Sequence, residues 1–211
     1  MFITIDGANS SELIEKKSKF IANIFYVETK TEAEEKIKDM KKKYHDARHN
    51  CSAYIVLEND SIIEKSSDDG EPSGTAGAPM LNILKKNNLC NIVVIVTRYF
   101  GGILLGTGGL VRAYSDVTLD VINKSKKQEI CLGKEYRVKV QYNNLESFKY
   151  YCKKNNINII KTNYLDDVEC ILEIENGNIN VFLEDIKKRK INILDYKEIC
   201  EKHIRKKVEE N

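Results

Sequence analysis

Both prolines and eight of the eleven glycines fall between Gly70 and Gly109. The backbone freedom of glycine and the fixed φ of proline are therefore confined to one stretch of about forty residues. Elsewhere the chain has to fold on ordinary helix and strand periodicity. Loops that rely on clustered glycine for their backbone geometry belong to this stretch, and function is sought there first.

Periodicity predicts the elements around it. Ser18 to Val27 alternates as a strand, and Thr31 with Glu34 reads as a capping box for a helix carrying Ala33, Ile37, Met40 and Tyr44 on one face. Cys51, Ala53, Ile55 and Leu57 share one face of a strand, with Asn59-Asp60 turning into a partner around Ile62 to Ser66. Pro79 fits the first turn of a short helix through Leu84, and NIVVIVTRYF is a continuous apolar strand, central and buried on both faces. Leu110, Ala113, Tyr114, Val117 and Val121 then recur at helical spacing. The order is β-α-β-β-α-β-α.

From Lys134 the special glycines stop. KEYRVKVQY, NLESFKYYCKKNN, INIIKTNYL, VECILEIE, NINVFLEDIKKRK and INILDYK read as β-α-β-β-α-β, the split β-α-β of ferredoxin-like domains. EKHIRKKVEE reads as a charged terminal helix with His203 on its surface. The fold class is thus α+β in two domains, residues 1–130 and 134–211, with the boundary near Lys126 to Lys134.

Composition excludes several classes. With 34 basic against 32 acidic residues there is no global basic field, so a polyanion site has to be local, and no DNA sequence specificity is expected. The start carries no apolar leader pattern and no apolar run approaches the ~20 residues of a membrane span, so a cytoplasmic protein without membrane partners is expected. Six scattered cysteines without a C-x-x-C pair read as reduced thiols.

Two segments within the glycine-rich stretch carry candidate chemistry. Arg98-Tyr99-Phe100-Gly101-Gly102-Ile103-Leu104-Leu105-Gly106-Thr107-Gly108-Gly109-Leu110-Val111-Arg112 runs from strand to helix through five glycines. Backbone N–H groups and a helix start, flanked by Arg98 and Arg112, suit an anion. Thr107 stands where a nucleotide P-loop requires Lys, and Val111 where the dinucleotide fingerprint requires Gly, so neither motif is present. In the second segment, Ser67 to Pro79, Asp68, Asp69 and Glu71 could bind Mg²⁺, serve as acid and base, pair with the arginines, or form a self-capped turn.

Two further features are weaker. His45, His49 and Cys51 crowd a helix-to-strand junction, where structural or anion-binding roles outweigh a metal, since further ligands are missing. Lysines 36, 38, 41, 42 and 43 crowd one helix, a solvated face or a phosphate-contacting one, with Tyr99, Phe100 and Tyr114 available for stacking.

Taken together, HDARHNCSAY, SDDGEPSGTAGAPML and VTRYFGGILLGTGGLVRAY resemble the IMPACT family, in particular its bacterial YigZ-like branch. The resemblance implies an N-terminal α/β domain of the type shared by a small-subunit ribosomal protein and the galactokinase-group (GHMP) metabolite kinases. It also implies a ferredoxin-like C-terminal domain like those of elongation factor G. Both relatives hint at RNA or ribosomes. Eukaryotic members look like translation regulators acting through an accessory domain that this chain lacks.

The motif residues that carry over are His49, Asp68, Asp69, Glu71, Thr75, Arg98, Tyr99, Gly101, Gly102, Gly106, Gly108, Gly109 and Arg112. No catalytic role, metal or cofactor travels with them. The expectation is a non-catalytic, translation-associated regulatory protein that binds RNA, the ribosome or a translation factor through this surface. The alternative is a hydrolase-like enzyme for a phosphorylated or peptidic small molecule, using the carboxylates and the glycine loop.

Overall fold

A computed structural model describes residues 2–207. They divide into two compact units, one taking the described residues up to Glu129 and the other Ile130–Lys206. No helix among the described residues is long and apolar enough to cross a membrane.

The first unit begins with β1 (Phe2–Ile5), β2 (Ala8–Glu15), β3 (Ser18–Tyr26) and α1 (Lys30–Lys43). The hairpin β4 (His49–Glu58) and β5 (Ser61–Ser67) follows, then α2 (Gly77–Lys86), β6 (Ile92–Tyr99) and α3 (Gly106–Lys124). Its main sheet has the order β2-β3-β6-β4-β5, every neighbour antiparallel. The apolar run of β6 is the middle strand, with Ile92 through Arg98 all buried. Helices on both faces produce that burial in an antiparallel sheet. Ala33 of α1 packs with Tyr54, Val56, Val93 and Ile95 on one face, while α2 and α3 cover the other. There α3 buries Leu110, Ala113, Tyr114, Val117, Val121 and Ile122, each large apolar side chain contributing about 1.5–3 kcal/mol.

The expected order lacks β1 and β2. Ser11 is buried within the polar sequence of β2 and Ile14 is 71% exposed, so alternation does not betray the strand. The capping box of α1 also lies two residues earlier than read: Thr29 Oγ1 accepts from Glu32 N, and Glu32 Oε2 accepts from Glu28 N. The Asn59-Asp60 turn is as expected, both residues having positive φ.

The second unit contains β7 (Lys127–Val140), a 3-10 turn (Tyr142–Asn144), α4 (Leu145–Lys154), β8 (Asn158–Tyr164), β9 (Val168–Glu175), α5 (Asn176–Lys187) and β10 (Asp195–Lys207). The antiparallel order β8-β9-β7, with β10 on the far side of β7, is the ferredoxin-like βαββαβ arrangement. Its core joins Tyr136, Val138 and Val140 to Phe148, Cys152, Leu172 and Phe182. Of the residues 126–134 read as a boundary, 127–134 form no loop, because β7 runs through them as one strand.

The charged terminal helix is a correction. His203 lies in β10, and the last residues of that segment fall outside those described. Ile204 is buried over Gly133, and Lys202 bridges Glu135 and Glu173 across the strands. These cross-strand contacts outweigh the helical propensity of a Lys/Glu-rich segment.

Candidate functional site

The motif segments converge at one end of the first unit's sheet. Arg98, near the end of β6, stands in register with Phe20 of β3 and His49 of β4, so the β2–β3 turn, the start of β4 and the glycine loop after β6 meet there. The acidic loop leaves β5 at the same end.

Asp68 ends up as a cap for another element. Its carboxylate accepts from the backbone N–H of Gly74 at 2.8 Å, Ala76 at 3.0 Å and Gly77 at 2.8 Å, at the start of α2, where no side chain of the helix caps itself. Burial works against the charge, but the three N–H bonds prevail and hold the carboxyl below its ordinary value of 3.8. Gly77 is required here because a Cβ would stand 2.6 Å from Ser67 N. Asp69, at φ +43°, pairs with Lys41 Nζ at 2.5 Å and accepts from Asn50 N at 2.7 Å, while its carbonyl oxygen lies 3.0 Å from His49 Nδ1. Thr75 is buried and donates to Pro72 O.

Glu71 and Arg98 form the centre. Arg98 Nη1 donates to Glu71 Oε1 at 2.7 Å and Oε2 at 3.0 Å, and both residues are over nine-tenths buried. Tyr114 donates its hydroxyl to Glu71 Oε1 at 2.9 Å. Arg98 Nη2 lies 3.5 Å from Ser18 Oγ, which also accepts from Gly101 N at 3.2 Å. The guanidinium carbon lies over the rings of Phe20 and Phe100, 5.4 and 5.6 Å from their centres. Behind it the Cys51 thiol lies 3.0 Å from Asp68 O and 3.3 Å from the Tyr114 hydroxyl. Burial pushes that thiol up to about 12 despite the Tyr114 hydrogen bond, and burial first also raises Tyr114. Neither group is an activated nucleophile.

The structure corrects the reading of Tyr114 as a stacking residue, and at Arg98 it realises one of the open alternatives, the pairing of an acidic-loop carboxylate with an arginine. Tyr114 is fully buried and is no stacking surface. Arg98 faces inward onto Glu71, so it does not flank an open anion site. Cys51 is committed to the interior, and no group of three or more His, Cys, Asp or Glu side chains that could hold a metal occurs among the described residues. Ser18, which joins Arg98 to the glycine loop, escapes sequence reasoning, since a lone Ser at a strand start carries no signal without its tertiary partners.

The remaining motif residues lie further out. Tyr99 donates to Asp46 Oδ1 at 2.8 Å, and that bond, before burial, raises its hydroxyl. Gly102 and Gly106 have positive φ, the Gly108 position has open space around it, and Gly109 packs on Leu105. Arg112 is exposed and makes no ion pair among the described residues. In the loop between β6 and α3, Phe100, Ile103 and Leu104 are 52%, 42% and 83% exposed.

Asp68 supports one prediction directly. Asp68→Ala strands three donors at a helix start and is expected to cost about 1–2 kcal/mol in urea unfolding. Because the folded carboxyl is held low, its contribution is fully present above its ordinary 3.8 and is lost as pH falls through the lowered folded value. Asp68→Asn should flatten that acid limb; an unchanged limb would refute the capping role.

A helix-covered antiparallel sheet whose acidic and glycine-rich loops lock onto each other at one end, joined to a ferredoxin-like unit, defines a two-domain α+β protein built around a motif surface. The chain belongs to the IMPACT family. Residues 16–122 match the Impact N-terminal domain, and residues 138–189 match a domain of unknown function, DUF1949. The IMPACT family member YvyE of Bacillus subtilis (strain 168) is 39% identical over 183 residues, 87% of this chain and 84% of that protein. The IMPACT family member YigZ of Escherichia coli (strain K12) is 35% identical over 150 residues, 71% of this chain and 74% of that protein. A crystal structure of a hypothetical protein, 29% identical, superposes with a TM-score of 0.62 over 92% of this chain and 96% of the other. The two-domain translational regulator Yih1 aligns over 56% of this chain and 46% of its own, at 25% identity and a TM-score of 0.40.

Proposed function

We propose that the protein is a cytoplasmic, non-catalytic, translation-associated binding protein whose first unit docks on RNA of the translation machinery. One observation carries this reading: at the motif end of the sheet the three motif carboxylates are already partnered, while four cations are exposed without an ion pair among the described residues. Asp68, Asp69 and Glu71 are occupied by backbone N–H groups, Lys41 and Arg98. Lys16, Lys17, Arg48 and Arg112 are exposed and make no ion pair among the described residues. Lys17 abuts Gly101, and Arg48 precedes the residue paired with Arg98. A local positive surface in a chain of almost balanced charge favours phosphate contacts, and half-exposed Phe100 adds a stacking face. The translation setting rests on the motif resemblance to the family's regulators.

The test is retention of ribosomes and ribosomal RNA by the intact protein and by Lys16→Glu/Lys17→Glu/Arg112→Glu, all three exposed positions. Binding by the parent is expected to fall steeply with salt. The variant should bind at least ~10-fold more weakly, with a salt slope lower by about three. A complex insensitive to both salt and the substitutions would sink the reading, and one that survives nuclease would transfer the surface to a protein partner.

A further inference from the structure

Independently of the motif surface, the second unit contains a cavity of about 340 Å³ between one flank of α4 and the segment that follows α5. That size lies at the small end of the roughly 300–1,000 Å³ typical of small-molecule sites. Phe148 and Ile191, 2% and 8% exposed, provide an apolar floor anchored in the core. Ser147, Tyr150, Tyr151 and Lys154 line one wall at the i, i+3, i+4, i+7 spacing of a single helix face. The polar groups around the floor differ in what they are free to do. Tyr151 Oη donates to Asp185 at 3.0 Å and Lys190 Nζ pairs with the same carboxylate at 2.7 Å, so these three close the wall as a neutral set. The side chains of Tyr150, Lys154 and Asn192 make no hydrogen bond or ion pair among the described residues, and Tyr150 is 70% exposed.

We infer that this cavity is a nucleotide site for a single base and a single phosphate. The exposed ring of Tyr150 offers a stacking face that any base can use. The Asn192 amide presents a donor beside an acceptor, which matches the edge of a base such as adenine. Lys154 is the one uncompensated cation among the lining residues and meets one phosphate, not a triphosphate. A nucleoside monophosphate and the end nucleotide of a single-stranded RNA share this chemistry.

Backbone NMR titration of the full chain with AMP, adenosine, inorganic phosphate and a short oligoadenylate tests the site. AMP is expected to give saturable shifts at residues 147–154 and 190–192. Lys154→Gln should weaken AMP about tenfold and leave adenosine nearly unchanged, whereas Tyr150→Ala should weaken both about tenfold. Both positions are solvent-exposed, so unaltered spectra elsewhere verify folding. An oligoadenylate binding the same residues more tightly than AMP assigns the site to an RNA end; weaker binding assigns it to the free nucleotide. Absence of saturable AMP shifts there, inorganic phosphate binding as well as AMP, or indifference to both substitutions overturns the inference.

Discussion

Glu71→Ala is expected to destabilise the first unit by about 3–5 kcal/mol, because it leaves the Arg98 guanidinium charged, buried and without its counter-ion. The pair is 2.7 Å apart with side chains 7% and 3% exposed, so water cannot take over the lost bonds. Arg98→Ala should cost a similar amount by stranding the Glu71 carboxylate, to which only the Tyr114 hydroxyl would still donate. The pair itself need not be worth that much. Arg98 Nε already lacks a partner among the described residues, and a buried ion pair is often replaceable by apolar side chains of similar volume. Glu71→Leu/Arg98→Met is therefore expected to recover most of the loss. Hydrogen exchange on β6, whose strand carries Arg98 through the middle of the sheet, reports the first unit separately from the second. A single substitution costing under ~1 kcal/mol, or a double variant as unstable as the singles, would contradict this account. A lost interaction in Arg98→Ala would consequently report unfolding of the loop end, which is why the exposed Arg112 is the better probe of docking.

This division of the motif marks what the sequence could and could not tell. The central position of β6 and the buried face of α3 are legible because a continuous apolar run and a 3.6-residue apolar period each fit few structures besides a buried strand and an amphipathic helix. The ferredoxin-like order of the second unit is legible for the same reason, β9 alternating buried and half-buried along its whole length. β2 escapes because its inward residue Ser11 is polar, and β10 because Lys/Glu alternation on a charged edge imitates a helix. The motif's residues are identifiable by type and spacing, but their roles are not. Asp68, Asp69 and Glu71 sit within four positions of one another, yet one caps α2, one ties the loop to α1, and one neutralises an arginine of the central strand. Which carboxylate meets which donor is fixed by pairings across 8, 27 and 28 residues of chain, which local reading does not reach.

The glycines of the loop carry the last prediction, because the structure separates three reasons for having one. At Gly101 a Cβ would lie 2.0 Å from the carbonyl carbon and oxygen of Lys17 and 2.5 Å from Ser18 N, all of them backbone atoms. No side-chain rotation relieves that collision, and moving the loop would also break the Gly101 N to Ser18 Oγ bond. Gly101→Ala is expected to cost about 3 kcal/mol or more, detaching the glycine loop from the β2–β3 turn. At Gly102 there is open space but φ is +84°, so alanine incurs only backbone strain, about 1 kcal/mol. At Gly108, inside α3 with nothing within 4 Å, alanine should instead stabilise by up to about 1 kcal/mol through helix propensity. Thermal unfolding of the three variants should rank Gly101 far below Gly102 and Gly108 at or above the parent; equal effects would mean the loop does not seat on Lys17. Since Gly108→Ala is expected to keep the fold intact, a weakening of the proposed RNA contact in that variant would come from the added methyl at the exposed start of α3, separating contact with a partner from stability of the loop.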